Sequence, residues 1–168
     1  PYLEEITEVY LQMADAITRY EALLITARDT EMVSSLLKGR LTEEQMKRVT
    51  LFTCDNNDTW ARDVAPISLI ANKASKDSSQ PLRLLDFCFN GWGEKFAAEK
   101  DNRINRQLHE AGLLQGVLES HKDFVLEGGS IESDGSHTLF TTTSCLMAPH
   151  RNQPLTQEDI DKQLRLFF

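Results

Sequence analysis

What most constrains this chain is its alternation, from the first turn onward, between stretches of helical apolar spacing and short unbroken apolar runs. Leu3, Ile6, Val9, Tyr10, Met13, Ala16, Ile17 and Tyr20 recur at three- and four-residue intervals, with Glu4, Glu5, Glu8, Gln12, Asp15 and Arg19 between them. That spacing predicts an amphipathic helix of about five turns. The run from Ala22 to Ala27 has the character of a strand covered on both faces. Thr30 is the expected cap of a second helix reaching to about Leu37, and Gly39 its stop; Thr42, with Gln45 three residues on, opens a third helix. The run from Val49 to Thr53 then returns to strand. Helix and strand in alternation select an α/β architecture.

From Cys54 to Asp63 the chain is polar, and the stretch from Val64 to Ile70 reads as a strand whose Pro66 confines it to a sheet edge or a strand start. A turn-rich segment from Asn72 to Gln80 joins it to a second hairpin strand from Leu82 to Phe89. Asn90-Gly-Trp-Gly93 breaks the pattern. A helix carrying Ile104, Leu108 and Ala111 follows, and Asp123 to Leu126 is the next strand. Residues on either side of Ser133–His137 carry a hairpin signal, and Thr156 caps a last helix with Ile160, Leu164 and Phe167 on one stripe. A polar loop with an acid, a hairpin and a helix thus appear once around Asp63 and again around Glu127, a suspected ββαβ repeat. An initial Pro1 and a final Phe167-Phe168, taken as exposed, suggest a segment of a longer protein, so residues 1–168 are expected to be the N-terminal and central part of one domain cut at both ends.

Charge and cysteine usage narrow the partners. Lys and Arg total 18 against 26 Asp and Glu, a net charge of −8, whereas phosphate binding requires a basic face, so nucleic acid is not expected. No apolar run approaches the roughly 18 to 20 residues of a spanning helix, and the acidic first helix does not resemble a signal segment, so no membrane association is expected. Cys54, Cys88 and Cys145 lack any CxxC spacing, which suits a reducing, cytoplasmic setting better than a disulfide framework. No metal is expected: HExxH and Walker-type patterns are missing, and Asp55-Asn-Asn-Asp58 lacks the Gly and distal Glu of a calcium loop.

Two carboxylates stand out. Asp63 ends Trp60-Ala-Arg-Asp63 at the mouth of a strand, and Glu127 precedes Gly128-Gly129, where the backbone can be approached closely. Two acids and an indole form a pocket suited to a cation, above all to a planar guanidinium. Spacing alone leaves other roles open: Asp63 paired with Arg62 or capping a turn, Glu127 on the surface, and the two glycines in a plain turn.

The segments Asn57-Asp-Thr-Trp-Ala-Arg-Asp-Val-Ala-Pro66, Asn90-Gly-Trp-Gly-Glu-Lys-Phe96 and Leu126-Glu-Gly-Gly-Ser-Ile131, followed by Asp134-Gly135 and Leu139-Phe-Thr-Thr142, together resemble the agmatine deiminase and bacterial peptidyl-arginine deiminase family. The resemblance implies a pentein-type α/β propeller of ββαβ modules and cofactor-free hydrolysis of a terminal guanidinium. It implies that Asp63 and Glu127 hold that group, that Trp60 lines the pocket and that Gly128 and Gly129 let the backbone pass close. A Cys thiolate and a His-x-Asp motif are implied C-terminal to Glu-Gly-Gly. His121-Lys-Asp123 has the right letters on the wrong side of Glu127 and is expected in a solvated turn; Cys54, Cys88 and Cys145 are expected to be small core residues, and His137 and His150 exposed loop residues. The chain alone is therefore expected to be inactive. Agmatine is preferred over peptidyl arginine, and free arginine ranks last because only Arg62 lies near in sequence to meet its carboxylate. A homo-oligomer is left open. Two alternatives are a non-catalytic α/β module that binds a cation, and an amidinotransferase or dimethylarginine hydrolase of the same fold.

Overall fold

The computed structural model describes residues 2–70 and 81–168, which form two compact units, 1–55 and 56–168. The hairpin connection expected at 72–80 lies outside the described residues.

In the first unit α1 (Leu3–Thr18) precedes β1 (Leu23–Ala27), α2 (Thr30–Lys38), α3 (Glu43–Met46) and β2 (Val49–Thr53). β1 and β2 pair in parallel, Leu23 opposite Val49 through Ala27 opposite Thr53. All five β1 residues are half-buried. Ala14, Leu37 and Leu41 form the core, with Leu11, Leu23, Ile25, Val33, Met46, Val49 and Leu51 packed on it. The Thr42–Gln45 capping box is present. The cap of α2 is Asp29 instead of Thr30, its carboxylate accepting from the Met32 N–H at 2.8 Å. Asp and Thr compete for this role on similar terms, and here the carboxylate one residue earlier has it.

The second unit opens with a short helical turn, α4 (Ala61–Val64), where a strand was expected; extended structure begins only after Pro66, at β3 (Ile67–Leu69). β3 is the antiparallel edge of a three-stranded sheet in the order β3-β4-β5, with β4 (Arg83–Cys88) in the middle and β5 (Val117–Val125) parallel to it. Between β4 and β5 come the turn α5 (Gly91–Glu94) and α6 (Asp101–Glu110). A second hairpin, β6 (Ile131–Ser133) with β7 (Leu139–Thr141), leads to α7 (Thr143–Leu146) and α8 (Gln157–Phe167). The short helical turns at Ala61–Val64 and Gly128–Ser130 are each followed by a hairpin, a single helical turn and a longer helix, the order suspected around Asp63 and Glu127.

Leu85, Phe87, Phe124, Leu126, Ile131, Leu146, Ile160, Leu164 and Phe167 make one core. Phe167, expected to be exposed, is buried there, its ring edge-on to Phe87 at 5.1 Å. β5 begins six residues before the expected strand, so His121-Lys-Asp123 lies within it and not in a solvated turn. The His121 ring stacks on Phe87 at 5.3 Å, and Lys122 reaches the buried Asp86 at 2.7 Å. An unpaired charge at Asp86 would be costly, and Lys122 together with Asn105 meets it.

Candidate active site

Four segments of the second unit converge. The α4 turn presents Asp63, whose Oδ1 accepts from the Gly129 N–H at 2.9 Å and whose Oδ2 accepts from the Trp92 indole N–H at 3.1 Å. The glycines are needed for this approach: a Cβ on Gly128 would lie 2.2 Å from the Arg62 carbonyl oxygen, and one on Gly129 would lie 2.3 Å from Asp63 Oδ1. Glu127, immediately before them, is buried. Sequence reasoning singled out both carboxylates, and the structure brings their backbones together.

Trp92 reaches Asp63 through an unusual turn. Gly91, Trp92, Gly93 and Glu94 have φ of 63°, 58°, 88° and 62°, and Glu94 and Lys95 donate to the carbonyls of Asn90 and Gly91 at 2.8 and 3.1 Å. This is a single left-handed helical turn, which costs L-residues about 1–2 kcal/mol each at the non-glycine positions. Glycine is required at its first position, where a Cβ would meet the Phe96 carbonyl oxygen at 2.1 Å. Asn90 stabilises the turn by accepting from the Gly93 N–H at 2.9 Å. Trp60 is placed differently: it precedes α4 and is 63% exposed. The indole bonded to Asp63 is that of Trp92, within the Asn90-Gly-Trp-Gly93 motif.

The fourth segment is the loop between α7 and α8. Asn90 Nδ2 donates to the His150 carbonyl, and Asn152 pairs with Val125 through both its amide groups, accepting at 2.9 Å and donating at 3.0 Å. The loop thereby delivers Arg151, whose Nη1 is ion-paired to Glu127 Oε1 in a contact without hydrogen-bond geometry and donates to Asn90 Oδ1 at 3.3 Å. Burial pulls the Arg151 guanidinium below its ordinary pKa, and the nearby Asp63 charge opposes this. The cation beside the carboxylates is thus Arg151; Arg62 turns toward the Ile131 carbonyl and Glu132. An open cleft of about 590 Å³ adjoins Arg151, lined by Glu94, Met147, Pro149, His150, Arg151 and Gln153.

Cys54 is buried as expected, whereas Cys88 and Cys145 are half-buried, and burial pushes the Cys88 thiol up, away from a thiolate. Among the described residues no group of three or more His, Cys, Asp or Glu is placed to hold a metal ion, and no helix is long and apolar enough to cross a membrane.

The model of the Porphyromonas-type peptidyl-arginine deiminases matches residues 1–168. The chain belongs to this family. It is 34% identical over 164 residues to a candidate agmatine deiminase of Mycoplasma capricolum, covering 94% of the chain and 40% of that relative. A candidate arginine deiminase structure from Porphyromonas gingivalis is 42% identical, with a TM-score of 0.85 over 98% of this chain and 46% of the other. A cysteine-to-serine variant of the C. jejuni agmatine deiminase with substrate bound is 34% identical, with a TM-score of 0.84 over 100% of this chain and 46% of the other. The α/β, pentein-type fold expected for a deiminase family member is the one found, and the chain spans under half the length of the relatives it matches.

Proposed function

We propose that this chain supplies the guanidinium-holding carboxylates, Asp63 and Glu127, of one deiminase catalytic domain that acts on agmatine, or with lower preference on peptidyl arginine. Gly128 and Gly129 let the Glu127 backbone lie against Asp63, and Trp60 borders the approach. The observation that carries the reading is Asp63, oriented by Trp92 and Gly129 at 3.1 and 2.9 Å beside the buried Glu127. Acceptors fixed in this way suit the planar donor fork of a guanidinium.

The proposed reaction is covalent hydrolysis. A Cys thiolate attacks the guanidinium carbon, the new C–S bond forms, and the C–N bond breaks as ammonia leaves with a proton from an acid–base His. Water then attacks the thiouronium carbon, the thiolate departs, and a ureido product remains: N-carbamoylputrescine from agmatine, or citrulline from peptidyl arginine. The cysteine-to-serine, substrate-bound relative is consistent with a thiolate nucleophile. Burial pushes the Cys88 thiol up, away from a thiolate, and the nucleophile and the His are proposed to lie outside these 168 residues. A net charge of −8 favours a cationic substrate.

Calorimetric titration of the chain with agmatine tests the binding half. Asp63→Asn and Glu127→Gln should each weaken binding by about tenfold or more, the scale of a lost charge-assisted contact. Failure of the unaltered chain to bind agmatine would sink the reading. Ammonia assays on the chain alone should show no enzymatic release; steady turnover would place the nucleophile among Cys54, Cys88 and Cys145.

A further inference from the structure

We infer that Arg151 is a positioning residue that keeps Glu127 ionised and leaves the carboxylate pocket with one net negative charge, matched to a single guanidinium. The inference rests on the proposed function and names a residue in the site that the family resemblance did not single out. Asp63 and Glu127 would together present two negative charges to one positive group, and like charges in a shared site oppose one another's ionisation. A third charge is built in. Arg151 is only 10% exposed at its side chain, is ion-paired to Glu127 Oε1 and feels the Asp63 charge. An arginine suits this role because its guanidinium does not deprotonate under any working condition.

Among the described residues, Glu127 and Asp63 are the acids set against Arg151. Its Nη1 shares Asn90 Oδ1, and its Nε is buried without a hydrogen bond among the described residues. Among the described residues, other charged groups of the same segments have partners elsewhere. Arg62 on α4 faces the Ile131 carbonyl and Glu132, Lys122 on β5 is held by Asp86, and Glu94 and His150 pair with each other at 3.1 Å. The loop that carries Arg151 is clamped on both sides of it. Asn90 takes the His150 carbonyl, Asn152 pairs with the end of β5 two residues before Glu127, and Gln153 accepts from the Arg151 N–H at 3.0 Å. Three side chains are thus used to fix one guanidinium against one carboxylate.

Removing the cation while keeping the apolar stem separates charge from packing. In Arg151→Met the titration midpoint of the Glu127 side-chain carboxyl, followed by NMR in the ligand-free chain, should rise by about one pH unit or more. The acid limb of agmatine affinity should rise with it, and Arg151→Lys, which restores the charge, should bring both back. A purely structural role would lower affinity uniformly with pH and leave the midpoint in place. A midpoint unmoved in a folded Arg151→Met, or unrestored in a folded Arg151→Lys, overturns the inference while agmatine binding by the unaltered chain leaves the deiminase reading standing. Should Arg151→Met fail to fold, the Lys variant and Arg151→Gln carry the same comparison. Absence of agmatine binding in the unaltered chain is failure of the parent reading and takes this one with it.

Discussion

Gly129 has no room for a side chain, because the atom it would meet first is Asp63 Oδ1 at 2.3 Å. In Gly129→Ala the carboxylate must move, and the bond from the Gly129 N–H must lengthen with it. Agmatine affinity should fall by about tenfold or more, since displacements near 1 Å in a positioned site are costly. Gly112→Ala is the converse case: its φ of 73° strains an alanine but nothing lies within 4 Å, so stability should drop by about 1 kcal/mol while affinity stays put. Trp92→Phe keeps the ring and deletes the N–H donated to Asp63, which should cost about 1 kcal/mol of binding, roughly a fivefold loss by calorimetry. No change in affinity would show that Asp63 does not depend on Trp92. Asp63 and Glu127 were legible in the sequence because each stands beside its own chemical cue, a motif end or a Gly-Gly. Trp92 and Arg151 were not, since their roles arise from partners distant in the chain, Trp92 with Asp63 and Arg151 with Asn90 and Glu127.

Helix α6 connects the sheet to the site through its polar face. Asp101, fully buried, accepts from the Asn57 and Asp58 N–H groups at 2.7 and 3.2 Å, and this fixes the loop that leads to Asp63. Asn102 accepts from the Phe89 N–H at 3.0 Å, just before the left-handed turn, and Asn105 spans Asp86 at 2.7 Å and the Val64 carbonyl at 2.8 Å. One helix therefore anchors both ends of the Asp63–Trp92 contact. Asn105→Ala leaves the Val64 carbonyl and part of the Asp86 carboxylate unmet, and should lower stability by about 1–3 kcal/mol in chemical denaturation, with weaker agmatine binding as α4 loosens. An unchanged denaturation midpoint would mean that water replaces the amide without loss. Ile104 and Leu108 announced this helix in the sequence, but nothing in a run of Asp, Asn and Arg distinguishes a solvated face from a bracket. The same limit applies along the chain. Caps at Thr42 and Thr156 and the stripe Ile160–Leu164–Phe167 were legible because they are local rules. The early start of β5 was not, because the segment from Glu119 to Asp123 is polar in isolation and becomes strand only through pairing with β4.

At the scale of the whole molecule, apolar surface and charge point in opposite directions. On α1, Leu3, Ile6, Val9, Tyr10, Met13 and Ile17 are exposed along the helix, while Ala14 and Leu11 on its other side meet the first core. The helix is amphipathic, as its spacing predicts, yet much of its apolar set faces solvent. A contiguous apolar stripe of this kind favours association, and among the described residues the two-stranded sheets β1-β2 and β6-β7 leave edges unpaired. A net charge of −8 opposes contact between copies, so self-association should grow as salt screens that repulsion and as sulfate strengthens apolar burial. Light scattering should therefore report a mass above 19.1 kDa that rises with concentration and with sulfate. Ile6→Glu combined with Met13→Glu should return it toward the monomer without altering agmatine affinity, because neither residue belongs to the unit that holds Asp63 and Glu127. A mass fixed at the monomer value across concentration and salt would show that this stripe is tolerated in water even where salt has screened the charge.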